Sequence, residues 1–97
     1  MTVAKDETPS IVVYGTEFCS YCAAARMLLK KKGLNFEDVL VSHDDDKRRE
    51  MERLSGGTTV PQIFIGGEAI GGFDELYSLD KDGRLDRMLG RSSSPAD

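Results

Sequence analysis

The only two cysteines of the chain, Cys19 and Cys22, lie between a short apolar run, Ile11-Val12-Val13-Tyr14, and a longer run, Ala23-Ala24-Ala25-Arg26-Met27-Leu28-Leu29. The first run is rich in β-branched residues and reads as a buried central strand. The second reads as a helix from about Ser20 to Lys32, with Ala24, Met27 and Leu28 on its inner side. A strand that passes through a short turn, Gly15-Thr16-Glu17, into a helix is the opening of a βαβ unit. It also sets the cysteines at a helix start, which offers free backbone N–H groups and the positive end of the helix dipole. Both favour thiolate over thiol, so a cysteine there should ionise below its usual pKa of roughly 8.5. The second cysteine, one helical turn on, can reach the first and close a small disulfide ring.

The remaining elements follow in order. Gly33 is a helix stop, and Leu34 can fold back on Leu29. Asn35 to Val41 reads as a second strand. Ser42-His43-Asp44-Asp45-Asp46 gathers caps and acids at a second helix start. That helix runs to about Leu54, with Asp44–Arg48 and Asp45–Arg49 spaced to pair and Met51 and Leu54 marking its inner face. Its many charges read as a solvated face. Gly66-Gly67, between Ile63-Phe64-Ile65 and Glu68-Ala69-Ile70, is a two-residue hairpin signal. Gly71 to Glu75 then opens a helix with Leu76, Tyr77 and Leu79 on its buried side. After a break at Asp80 to Gly83, Leu85, Met88 and Leu89 mark a last short helix. The order β-α-β-α-β-β-α, with a possible terminal helix, predicts an α/β domain. Its first half has parallel strands joined by a right-handed crossover, and its single four-stranded mixed sheet carries helices on both faces. Residues 1–10 read as a flexible lead-in, 11–90 as the domain and 91–97 as a polar, disordered tail.

Composition narrows the function classes. The chain has 97 residues and a net charge of -4, which gives no electrostatic footprint for nucleic acid or an anionic membrane. No apolar run approaches the ~20 residues needed to span a bilayer, and the polar N-terminus lacks the apolar core of a secretory signal. Two cysteines at this spacing do not form a secreted disulfide framework. A reducing, cytoplasmic setting is therefore expected.

A Cys-x-x-Cys pair has three chemical readings. A zinc site needs four ligands, and His43 is the one histidine left to join the pair. A structural disulfide across so short a ring gains little from loop closure. A redox dithiol on a βαβ pattern is favoured. His43, far from the pair in sequence, reads as a surface residue.

Three blocks sharpen this. Tyr14-Gly15-Thr16-Glu17-Phe18-Cys19-Ser20-Tyr21-Cys22, then Thr58-Thr59-Val60-Pro61-Gln62-Ile63-Phe64-Ile65, then Gly71-Gly72-Phe73-Asp74-Glu75-Leu76 resemble the glutaredoxin family in order and spacing, over about residues 11–90. The match is closest to small bacterial-type dithiol members. The resemblance implies the thioredoxin fold. It also implies a glutathione-dependent thiol-disulfide oxidoreductase that acts on glutathione mixed disulfides and protein disulfides. Cys19 resembles the nucleophile and Cys22 the resolving cysteine. Val60-Pro61 resembles the family's cis-proline site, which would pair with the cysteinyl unit of glutathione. Gly72-Phe73-Asp74 resembles the site for its γ-glutamyl end, with Tyr21 and Thr59 bordering the groove.

Two kinds of departure stand out. The family often carries basic residues at the positions of Thr16 and Gly57, which serve the glycyl carboxylate of glutathione. Their absence predicts weaker binding unless Arg26 or Arg53 substitutes. Ser20 replaces the usual proline between the cysteines. Some family members with Cys-Ser-Tyr-Cys resemble carriers of a [2Fe–2S] cluster, held between two subunits by the first cysteine of each, here Cys19, and two glutathione molecules. The chain is thus expected to be a monomer, dimeric only if cluster-bridged, with glutathione as reductant. Its partners are expected to be glutathionylated or disulfide-bearing proteins. A non-catalytic adaptor is disfavoured because both cysteines are present.

Overall fold

A computed structural model describes residues 9–90. The expected tail at 91–97 and all but the last two residues of the expected lead-in lie outside the described residues. The elements are β1 (Ile11–Gly15), α1 (Ser20–Lys31), β2 (Glu37–Leu40), α2 (Asp45–Ser55), β3 (Gln62–Ile65), β4 (Glu68–Gly71), α3 (Phe73–Lys81) and α4 (Arg84–Met88). The strands form one mixed sheet in the order β2-β1-β3-β4. β1 pairs parallel with β2 and antiparallel with β3, and β3 pairs antiparallel with β4. This is the thioredoxin fold.

The period-2 alternation of the two central strands divides the core. Ile11, Val13, Ile63 and Ile65 face one side, where Ala25 and Leu29 of α1, Leu76 of α3, Leu85 of α4 and Leu89 pack on them. Tyr14 and Phe64 face the other side and meet Val41 and Met51. Each fully buried leucine of the larger cluster stabilises the fold by ~1.5–3 kcal/mol. Lys32, at the end of α1, reaches Asp80 at 2.7 Å and Asp86 at 3.4 Å, tying α1 to α3 and α4.

Local chemistry explains the turns. At the end of α1, Leu34 N–H donates to Leu29 C=O at 3.0 Å and Gly33 N–H to Lys30 C=O at 2.9 Å. That is the Schellman pattern, with Gly33 in the left-handed region. Gly66 and Gly67 both have positive φ, as a two-residue hairpin between right-twisted strands demands. Ser10, expected in the lead-in, accepts from Gly66 N–H at 2.8 Å and so extends the contact of β1 with the hairpin.

Several faces differ from expectation. α1 buries Cys22, Ala25 and Leu29, while Met27 is 66% exposed and Ala24 half-buried, so its inner face is rotated from the Ala24–Met27–Leu28 line. In α3 Leu76 is buried but Tyr77 is exposed, and in α2 Leu54 is exposed beside buried Met51. Asp44 caps α2, its carboxylate accepting from Lys47 N–H at 3.0 Å, rather than pairing with Arg48. Arg48 pairs with Glu52, and Arg49 pairs with Asp46 rather than Asp45. Among the described residues no helix is long and apolar enough to cross a membrane.

Candidate active site

The site is assembled where β1 turns into α1. Cys19 is the N-cap of α1, in extended conformation, and its sulfur accepts from Cys22 N–H at 3.4 Å. Its thiol also faces the Val60 carbonyl at 3.8 Å. Partial burial alone would push the Cys19 pKa up. Hydrogen bonds from the Cys22 and Tyr21 backbone and the Cys22 thiol, with the charge of Arg26, outweigh it and hold Cys19 below the ordinary thiol value.

Cys22 has the opposite balance. It is fully buried, and burial raises its pKa, as do the hydrogen bond and charge of Cys19. The Thr16 backbone and Arg26 pull it down by less, and the net shift is upward. One helix start therefore holds two thiols of unlike character: a half-exposed one whose ionisation is favoured and a buried one whose ionisation is opposed. The first can act as a nucleophile towards a disulfide sulfur, and the second stands one turn away to resolve the product.

Next to Cys19, whose sulfur faces the Val60 carbonyl, lies a groove of about 270 Å³. Tyr21, Thr59, Val60, Pro61, Gly72, Phe73 and Asp74 all line it, together with Glu75. The Val60–Pro61 peptide is cis. The loop leading to it is pinned from both sides. Gln62, buried, donates from Nε2 to the Thr59 carbonyl at 3.0 Å, and Arg48 Nη2 donates to the Thr58 carbonyl at 3.0 Å. The opposite wall is the start of α3, where Glu75 Oε1 accepts from Gly72 N–H at 2.8 Å. The walls approach closely, since a Cβ on Gly72 would lie 3.3 Å from the Pro61 carbonyl. Tyr21 leans on Phe73 with ring centroids 6.3 Å apart, and Phe73 on Tyr77 at 5.9 Å. A larger cavity of about 760 Å³, lined by Asp74 and Glu75 together with residues of β4 and α4, shares none of the cis-proline loop.

The glutaredoxin family model matches residues 11–70. The chain belongs to the glutaredoxin family. It is 42% identical over 81 residues to a glutaredoxin of Pseudomonas aeruginosa, covering 84% of this chain and 96% of that one. It is 46% identical over 80 residues to glutaredoxin 3 of Escherichia coli K12, covering 82% and 96%. A buckwheat glutaredoxin–glutathione complex superposes with a TM-score of 0.77 at 29% identity, covering 84% of this chain and 77% of that one. As a glutaredoxin with this fold and an intact cysteine pair, the protein is a thiol-disulfide oxidoreductase.

Not every residue considered from sequence enters the groove. Arg26 and Arg53 are not among its lining residues. Arg26 is turned to Asp38 and the Thr16 carbonyl, and Arg53 is exposed on α2. Among the described residues, the groove lining carries two acids, Asp74 and Glu75, and no Lys or Arg. Sequence reasoning passed over Gln62 and Glu75, which hold the two walls in place. The spacing of Glu75, three residues after Gly72, was the available signal.

Proposed function

We propose that this glutaredoxin uses glutathione as its reductant and that the groove beside Cys19 is where glutathione, free or in mixed disulfide, is held. The observation that carries the reading is the convergence of Tyr21, Thr59, Val60, Pro61, Gly72, Phe73 and Asp74 on one groove whose Val60 carbonyl faces the Cys19 sulfur at 3.8 Å.

The γ-glutamyl carboxylate meets backbone N–H groups at the start of α3, where the dipole favours an anion, and its ammonium meets Asp74. The cysteinyl unit runs along Val60-Pro61, with Thr59 at the edge of the groove. Tyr21 and Phe73 provide the apolar side. Cys19 as thiolate attacks the glutathione sulfur of a glutathionylated protein. The disulfide to the protein breaks, the protein leaves as its thiol, and glutathione is transferred to Cys19. A second glutathione attacks this adduct, releasing oxidised glutathione and Cys19. With a protein disulfide as substrate, Cys22 displaces the substrate from Cys19, and two glutathione molecules reduce the resulting Cys19–Cys22 disulfide. The acting unit is residues 11–90, a monomer, in the reducing cytoplasm where such thiols stay available.

The test is steady-state reduction of a glutathione mixed disulfide and of insulin disulfides by the wild type, Cys19→Ser and Cys22→Ser. Cys19→Ser should lose both activities by a factor on the order of 10³ or more. Cys22→Ser should keep the first and lose most of the second. Wild-type turnover no better than Cys19→Ser would defeat the reading.

A further inference from the structure

The resolving step asks a buried thiol to carry negative charge, which burial opposes. The cation beside Cys22 is Arg26. It follows at i+4, so both side chains share one face of α1. Its guanidinium is fixed from outside the helix: Nε meets Asp38 Oδ1 of β2 at 3.1 Å, and Nη2 donates to the Thr16 carbonyl at 3.1 Å. Its side chain is only 16% exposed. A Cβ on Gly15 would lie 2.8 Å from Cys22 Sγ and 3.1 Å from Arg26 Nη2, so sulfur and guanidinium close over the same bare backbone. Cys19 feels the same cation, but it has hydrogen bonds from both the Cys22 and Tyr21 backbone and opens towards solvent, whereas buried Cys22 has the Thr16 backbone alone beside Arg26 to offset its burial.

We propose that Arg26 is a positioning residue for the resolving step: its guanidinium, held over Gly15 by the Thr16 carbonyl, supports the negative charge on the Cys22 sulfur as it attacks the Cys19 mixed disulfide. The inference rests on the dithiol mechanism proposed above. In that step Cys22 gives its proton to solvent and attacks the Cys19 sulfur. The bond from Cys19 to the substrate sulfur breaks, and the substrate leaves as a thiolate that takes up a proton. Cys22 is oxidised into the new Cys19–Cys22 disulfide and the substrate sulfur is reduced, with no other oxidant or reductant. The charged neighbours of this arrangement are Cys19 on α1, Asp38 on β2 and Glu17 in the β1–α1 turn. Asp38 neutralises part of the guanidinium charge.

The test compares insulin-disulfide turnover with glutathione mixed-disulfide turnover, and measures the reduction potential of the Cys19/Cys22 couple by equilibration with reduced and oxidised glutathione. The variants are Arg26→Met, Arg26→Gln, Arg26→Lys and Asp38→Asn. Either neutral variant should lower the ratio of the two turnovers about fivefold, the order expected of one partly neutralised charge nearby. It should also make the couple more reducing by about 20 mV, the same factor for a two-electron couple, because Arg26 also lowers the Cys19 thiol and so favours the thiolate-bearing reduced form over the uncharged disulfide. Arg26→Lys should recover much of both. Asp38→Asn removes the ion pair but keeps the cation, and should lower neither. Two results would overturn the inference: Asp38→Asn reproducing the neutral Arg26 variants, which makes Arg26 a mere α1–β2 tie, or an unmoved ratio and potential in Arg26→Met or Arg26→Gln with an active wild type. A wild type inactive on both substrates instead defeats the dithiol mechanism itself. Arg26→Gln, nearer in shape and polarity, supplies the reading if Arg26→Met does not fold.

Discussion

The two sides of the first turn of α1 differ in almost everything that governs a thiol. On the groove side, Cys19 caps the helix, stays partly exposed and faces a carbonyl of the cis-proline loop. On the sheet side, Cys22 lies fully buried over Gly15, with Arg26 the charge beside it. The residue type is the same and the helix is the same. What differs is phase: three residues carry the chain from the open end of the helix to the face that meets the sheet. The comparison teaches that the fold divides labour between two like groups through backbone position, and leaves side chains such as Arg26 to adjust the result.

The strongest way to break this division is to fill the space under Cys22. Gly15→Ala places a methyl 2.8 Å from Cys22 Sγ and 3.2 Å from its Cβ, which the helix backbone fixes. Overpacking of this kind costs about 1–3 kcal/mol. The expected result is a urea midpoint lowered accordingly, with insulin-disulfide turnover falling more than mixed-disulfide turnover. An unchanged midpoint would show that the sheet side tolerates a shift the geometry forbids.

The thiols themselves give a sharper test. Cys19 is held below the ordinary thiol value and Cys22 pushed above it. Peptide-resolved alkylation by iodoacetamide across pH should therefore modify Cys19 with a lower midpoint than Cys22. The stability consequences run in opposite directions. The depressed Cys19 pKa adds stability that is fully present above the unfolded thiol pKa and is lost as pH falls through the folded value. The raised Cys22 pKa adds stability that is present below the unfolded value and is lost as pH rises through the folded one. A common midpoint for the two cysteines would erase the distinction.

The groove side can be weakened by itself. Asp74 is exposed on the groove wall at the start of α3. Asp74→Asn removes the carboxylate proposed to meet the γ-glutamyl ammonium, and a lost charged hydrogen bond is worth about tenfold in binding. The Michaelis constant for glutathione should rise by about that factor, while the reactivity of Cys22 and the reduction potential stay put. An unchanged Michaelis constant would remove Asp74 from the binding wall.

Much of this was legible in the sequence because it rests on strong local signals. The β-branched run of β1, the Gly66-Gly67 hairpin and the Gly33 stop each impose one backbone geometry, and each is found. Seven of the eight residues lining the groove came from the resemblance to the family, since nothing local in Thr59 or Phe73 announces a shared cavity. The inner face of α1 was misjudged because Ala23 to Ala25 and Met27 to Leu29 offer apolar residues at adjacent phases, and only tertiary packing chooses between them. The ion pairs of α2 were misjudged because Asp44, at the helix start, gains more by capping than by reaching Arg48. Arg26 had a readable spacing to Cys22, but its hold on the Thr16 carbonyl and its ion pair with Asp38 are contacts that only the fold brings near.

The smallest expected effect completes the contrast between the two sides. The sheet side has a cation next to its sulfur, whereas among the described residues the groove lining has two acids and no Lys or Arg. Glutathione carries a second carboxylate that these residues do not offset. Gly57 is a poor place to add a cation, since a Cβ there would lie 2.8 Å from Gln62 Nε2 and disturb the side chain that pins the Thr59 loop. Thr16 is the better one: its carbonyl already holds Arg26 through the backbone, and a longer side chain leaves that bond intact. Thr16→Lys should lower the Michaelis constant for glutathione by about threefold at low salt, the modest worth of a solvent-screened charge. The gain should fade as ionic strength rises. A constant that is unchanged or higher would mean that the second carboxylate of glutathione is already satisfied without a cation at this end of the groove.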